Sequence, residues 1–238
     1  MKAWFKLLTV LLLLGVLTVP TQAETREPFV LPANEKDALG GVFFFGESTT
    51  AHLARVGGVF DSAENRGKVL RDESGTRYLD MRILSSPVIY KGEKIAFAEA
   101  IERAQPRVLV LSFGLNGLSR WSRDPDAFLR NYRALIDGVL AHSPNTKILL
   151  QSVYPVGEND CFSSPVHALN AQIATLNGHI ATLSKEYTNV DYINTASLLA
   201  DANGVLSQGY DIGDGIHLTN EAYRIILTVL CQSIREVG

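Results

Sequence analysis

Apolar residues are laid out along this chain in two alternating ways. Some form short, strongly apolar runs with few polar interruptions, at Val42–Phe45, 88–90, 107–113, 147–153 and 190–193. Runs of four to eight apolar residues bounded by turn formers suit strands buried on both faces. Between them, apolar positions recur at intervals of three and four, as an amphipathic helix requires. Residues 124–141 carry Phe128, Tyr132, Leu135, Ile136, Val139 and Leu140 on one face, with Asp124 as N-cap and Pro125 in the first turn. Residues 165–187 are the most regular stretch, with Leu169, Ile173, Leu176, Ile180, Leu183 and Tyr187 in register. A last helix starts at Thr219 or Asn220 and runs to about Glu236, with Ala222, Ile226, Val229 and Leu230 inward. Shorter helices are predicted at 49–56, 95–104 and 195–200. Residues 57–80 show poor periodicity and read as irregular surface, with a short strand at 78–81. Lys91-Gly92 is a turn, and 157–164 and 203–218 are loops.

Strands therefore alternate with helices through most of the chain. That alternation predicts a parallel sheet covered on both faces. Right-handed crossovers place the carboxyl ends of all its strands along one edge. Residues just past each strand should meet there, however far apart in sequence.

The 238 residues, 46% apolar and 20% charged, are enough for one sizeable globular domain. The amino end departs from this pattern. Lys2 and Lys6 open an apolar run through Val19, followed by Pro20-Thr21-Gln22-Ala23. A basic start, a short apolar core and a small-x-small end read as a secretory signal peptide cleaved after Ala23. An uncleaved anchor is the alternative, although the run is short of the ~20 residues a spanning helix needs. The expected division is residues 1–23 as signal peptide and 24–238 as one exported domain, periplasmic or secreted, with no stable membrane insertion after cleavage. The net charge of −3 becomes more negative once Lys2 and Lys6 are removed, which gives no electrostatic case for nucleic acid. Cys161 and Cys231 are the two cysteines. An oxidising compartment lets them pair, and two separate buried thiols are the other reading.

The predicted edge collects chemistry. The first strand ends in Gly46-Glu47-Ser48, a later one in Gly114-Leu115-Asn116-Gly117, and the last long loop holds Asp214-Gly215-Ile216-His217. A serine hydroxyl is a weak nucleophile until an imidazole takes its proton. The imidazole in turn needs a carboxylate to hold its tautomer and stabilise its charged form. Asp214 and His217 are three apart, close enough to meet within one turn of chain. An amide such as that of Asn116 can donate to a developing oxyanion.

Taken in order, these three segments resemble the blocks of the SGNH, or GDSL-type, serine hydrolases. Gly46-Glu47-Ser48-Thr49 is similar to the nucleophile block. Gly114-Leu115-Asn116-Gly117 is similar to the oxyanion block, and Asp214-Gly215-Ile216-His217 with Leu218-Thr219-Asn220 to the Asp-x-x-His block before the last helix. The resemblance implies an α/β fold, a three-layer flavodoxin-like α/β/α sandwich with a mostly parallel sheet, and an esterase mechanism with no cofactor. It implies Ser48 as nucleophile, His217 as base, Asp214 as its orienting acid, and Asn116 with the backbone N–H of Ser48 as oxyanion donors.

Three positions depart from the family pattern. Glu47 stands where aspartate is usual, and Gly117 where an aspartate often follows the asparagine. The oxyanion glycine expected after the second strand has Gly92 as its best match, an ordinary turn being the other reading. His52, one turn past Ser48, is a rival base that more simply packs or faces solvent. Asp211 is a rival acid with poorer spacing. The expected activity is hydrolysis of acyl esters, on O-acetyl groups of carbohydrate or cell-envelope polymers. A lipid or small-ester hydrolase, an acyltransferase, and a non-catalytic carbohydrate-binding or assembly protein on the same scaffold are the alternatives.

Overall fold

A computed structural model describes residues 38–54, 63–72, 74–75, 77–160 and 162–237. The expected signal peptide and Cys161 lie outside the described residues. The first strand, β1 (Val42–Gly46), runs into a short helix, α1 (Ser48–His52). After α2 (Ala63–Gly67) come β2 (Val69–Leu70) and a hairpin of β3 (Pro87–Tyr90) and β4 (Glu93–Ala96). Then follow α3 (Phe97–Ala104), β5 (Val108–Ser112), α4 (Leu118–Arg123) and α5 (Pro125–His142). The chain closes with β6 (Lys147–Gln151), α6 (Val166–Ser184), β7 (Val190–Ile193) and α7 (Asn220–Val237).

Five strands form a wholly parallel sheet in the order β2-β1-β5-β6-β7. Counting only sheet strands, this is 2-1-3-4-5, the doubly wound order whose switch point lies between its first and third members. Here that point falls between β1 and β5.

Because side chains alternate across a strand, a run apolar at every position feeds two cores. Phe45, Leu109, Leu111, Ile148 and Leu150 join the core under α3, α5 and α6. Phe44, Val108, Val110 and Leu149 join the opposite core under α7. Phe45 stacks on Phe97 with centroids 3.8 Å apart and meets Phe113 edge-on at 5.3 Å. The predicted N-cap of α5 is present, since the Ala127 N–H donates to the Asp124 carboxylate at 2.9 Å. Cys231 is buried in the α7 core.

The structure corrects the reading of residues 69–96. The second sheet strand is Val69–Leu70, two residues too short to leave a pattern. Residues 78–81 form no strand; Tyr78 and Met81 face outward, 57% and 67% exposed. The apolar run at 88–90 is not in the main sheet but pairs antiparallel with β4 through the Lys91-Gly92 turn. Both turn residues have positive φ, 50° and 85°, as a two-residue hairpin with right-handed twist demands. Ile95 belongs to β4, so the following helix starts at Phe97. Among the described residues, no helix is long and apolar enough to cross a membrane.

Candidate active site

Ser48 sits where β1 ends and α1 begins. The turn is tight because Gly46 is bare: a Cβ there would lie 2.5 Å from the Ser112 carbonyl oxygen and collide with Thr50. Strand β1 therefore passes directly against β5, with Gly46 paired to Ser112. The hydroxyl of Ser48 is left at the carboxyl edge of the sheet. As the first residue of α1, Ser48 also presents an N–H that the helix itself does not use.

His217 and Asp214 come from the loop before α7. His217 Nε2 lies 3.0 Å from Ser48 Oγ, and His217 Nδ1 lies 2.6 Å from Asp214 Oδ2. The other Asp214 oxygen accepts the N–H groups of Ile216 at 2.9 Å and His217 at 2.7 Å. The Asp-x-x-His segment is thus a self-bonded turn that fixes imidazole and carboxylate together. Burial works to raise the Asp214 carboxyl, but the bonds from the His217 ring and the two N–H groups outweigh it and hold it below the ordinary carboxylate value. The site is open, with the His217 and Asp214 side chains 28% and 44% exposed.

Asn116 reaches the same edge by way of Glu47. The Glu47 carboxylate, 3% exposed, accepts the N–H of Gly114, Leu115 and Asn116, each at 3.0 Å. The residue before Ser48 therefore holds the whole Gly114–Asn116 turn across the switch point. Burial pushes the Glu47 carboxyl up to about 8, against the downward pull of those three donors. Gly114 has φ +142°, and a Cβ there would meet Leu176 and Val153 at 2.7 Å, so this turn requires glycine. The Asn116 side-chain amide donates one hydrogen to the Arg77 carbonyl at 2.7 Å, which leaves its second hydrogen to point elsewhere. The Trp121 indole N–H donates to the Asn116 carbonyl at 2.9 Å.

The rivals take other roles. The Asp211 carboxylate accepts the N–H groups of Gly213 and Gly215 and shapes the loop, while Asp214 holds the imidazole. His52 packs edge-on against His217 with centroids 5.2 Å apart. Gly92 is the hairpin turn, and a side chain there would meet open space. The glycine in the loop after the true second strand is Gly75; its N–H donates to Asp72 at 2.7 Å. The Arg77 carbonyl had no sequence signal, since any residue supplies one.

The model of the GDSL-like Lipase/Acylhydrolase family matches residues 44–225, from β1 into α7. This chain belongs to that family. It is an ester-bond hydrolase by that membership. No curated protein sequence matches the chain. Among solved structures, a GDSL-like lipase from Bacteroides thetaiotaomicron superposes with TM-score 0.57 at 18% identity, over 87% of this chain and 98% of that one. A Streptococcus pneumonia protein provisionally described as a platelet activating factor gives 0.59 at 21% identity, over 84% and 91%. A family two carbohydrate esterase from Clostridium thermocellum gives 0.53 at 13% identity, over 82% and 63%. At these identities the likeness is one of fold.

Proposed function

We propose that this family member is an exported serine esterase in which Ser48 is the nucleophile, His217 the base and Asp214 its orienting acid. The row of contacts from Asp214 Oδ2 to His217 Nδ1 and from His217 Nε2 to Ser48 Oγ carries this reading. His217 takes the hydroxyl proton as Ser48 Oγ attacks the ester carbonyl, and the imidazolium so formed is stabilised by Asp214. The tetrahedral oxyanion is held by the Ser48 N–H and the free hydrogen of the Asn116 amide. Collapse expels the alcohol, which takes the proton from His217. Water then repeats the sequence on the acyl-enzyme, releasing the acid and restoring Ser48.

The substrate we propose is an O-acetyl group on a carbohydrate or cell-envelope polymer. The openness of the dyad supports it, because an ester presented on a polymer needs a site it can approach from outside. A likeness in fold to a carbohydrate esterase is consistent with it. Export rests on residues 1–23. A second reading, a lipid or longer-chain ester, is favoured by the apolar rim. Exposed Tyr78 follows Arg77, whose carbonyl takes the Asn116 amide, and exposed Ile212 donates its N–H to the His217 carbonyl at 3.0 Å.

Labelling with a fluorophosphonate probe, read by peptide mass spectrometry, tests the nucleophile. Modification at Ser48 is expected; modification elsewhere, or none, contradicts the assignment. A p-nitrophenyl ester series separates the substrates: a preference for acetate favours the polymer reading, and a rate that climbs with acyl length favours the lipid one.

A further inference from the structure

We propose that His52 is a positioning residue for His217, the edge-on ring that keeps the base aligned on Ser48. This role rests on His217 being the base. Ser48 and His52 are four apart on α1, so their side chains project from one face, a turn apart. His217 lies against that face. Its Nε2 reaches Ser48 Oγ at 3.0 Å, and its ring meets the His52 ring at 5.2 Å between centroids and 61° between planes. The His52 ring in turn meets Tyr223 at 6.0 Å and 64°. Tyr223 belongs to α7, and its hydroxyl donates to the Thr49 carbonyl at 2.6 Å. Three rings thus stand in a row, His217–His52–Tyr223, and α1 is tied to α7 beside them.

The two hydrogen bonds of His217 run through its two ring nitrogens. They hold the ring only as firmly as their partners stay in place, and the half-exposed Asp214 carboxylate and the rotatable Ser48 hydroxyl leave it room to swing about its own side-chain torsions. A neighbouring ring at a steep angle opposes that swing, and aromatic pairs favour this edge-to-face geometry. The swing matters because His217 accepts a proton from Ser48 and later delivers one to the leaving alcohol, each along a defined Nε2 direction. His52 meets the imidazole one turn along α1 from Ser48 and takes no part in the two hydrogen bonds of His217, so it bears on the orientation of the base.

The test uses the full chain with His52→Ala, His52→Phe and His52→Gln, assayed on p-nitrophenyl acetate and by the rate of fluorophosphonate labelling. Loss of the ring in His52→Ala should lower kcat by roughly 10- to 100-fold, the scale set by a small misplacement of a catalytic group. KM should be nearly unchanged. His52→Phe keeps a ring in place and should recover most of the rate; His52→Gln, polar but without a ring, should stay slow. If His52→Ala fails to fold, as read by circular dichroism, the Phe and Gln variants decide the matter between them. Wild-type kcat in His52→Ala, or a His52→Phe variant no faster than His52→Gln, overturns the role while Ser48→Ala remains inactive. A wild-type protein that neither labels nor turns over overturns the base assignment itself, and this role with it.

Discussion

Glu47 Oε2 accepts the backbone N–H of Asn116 at 3.0 Å, so the residue beside the proposed nucleophile directly holds the proposed oxyanion donor. The two loops are neighbours because β1 and β5 flank the switch point of the sheet. The longer acid found here in place of aspartate reaches three N–H groups at once.

Replacing Glu47 by Gln should be costly. The amide cannot offer acceptors on both ends, so one NH₂ is turned against a backbone N–H in a dry site. A loss of about 1–3 kcal/mol in stability is expected from an unsatisfied buried pair, together with a fall in kcat as Asn116 loosens. Thermal unfolding and p-nitrophenyl acetate kinetics measure both.

The same carboxyl predicts a pH dependence. Its value rises from an ordinary 4.5 to about 8 in the fold. Between those values the folded protein keeps a proton that the unfolded chain has released. Stability therefore falls as pH rises through this window, and the contribution is flat below and above it. Glu47→Gln should remove that slope, which is read as the difference in Tm between wild type and variant from pH 5 to 8.

Asp214 carries the opposite sign. Its lowered folded value means that its contribution to stability is present above the ordinary 3.8 and is lost as pH falls through the folded value. Asp214→Asn should flatten the acid end of the stability profile. By losing control of the imidazole tautomer, it should also lower kcat by up to about 10⁴-fold at neutral pH.

Asn116→Ala should lower kcat by about 100- to 1,000-fold with little change in KM, because an oxyanion donor acts on the transition state. A parallel rise in KM would instead indicate a ground-state contact. Gly46→Ala should cost about 1–3 kcal/mol, since the added methyl has no room between Thr50 and the Ser112 carbonyl.

Much of the fold is legible in the sequence. Strands β1, β5, β6 and β7 each carry three or four apolar residues, because both faces of the sheet are covered, and such runs are hard to miss. Asp214 and His217 were readable as a pair because a three-residue spacing makes the contact local. Residues 69–96 were opaque for identifiable reasons. Val69–Leu70 is a strand that its neighbour β1 creates through pairing rather than one its own pattern announces. The run at 88–90 is apolar like a sheet strand, yet apolarity does not specify a partner, and a positive-φ turn folded it back on 93–96. Contacts across the switch point were equally hidden. Nothing local marks the Arg77 carbonyl as the partner of Asn116, or joins His52 to a ring 165 residues onward.

The central claim is that one hydroxyl, at position 48, carries the acyl group. It is tested most directly by purified Ser48→Ala, assayed beside wild type on p-nitrophenyl acetate with folding checked by thermal unfolding. A folded variant whose rate falls to the uncatalysed background is the predicted result. A folded variant that still turns the ester over at the wild-type rate would contradict the account.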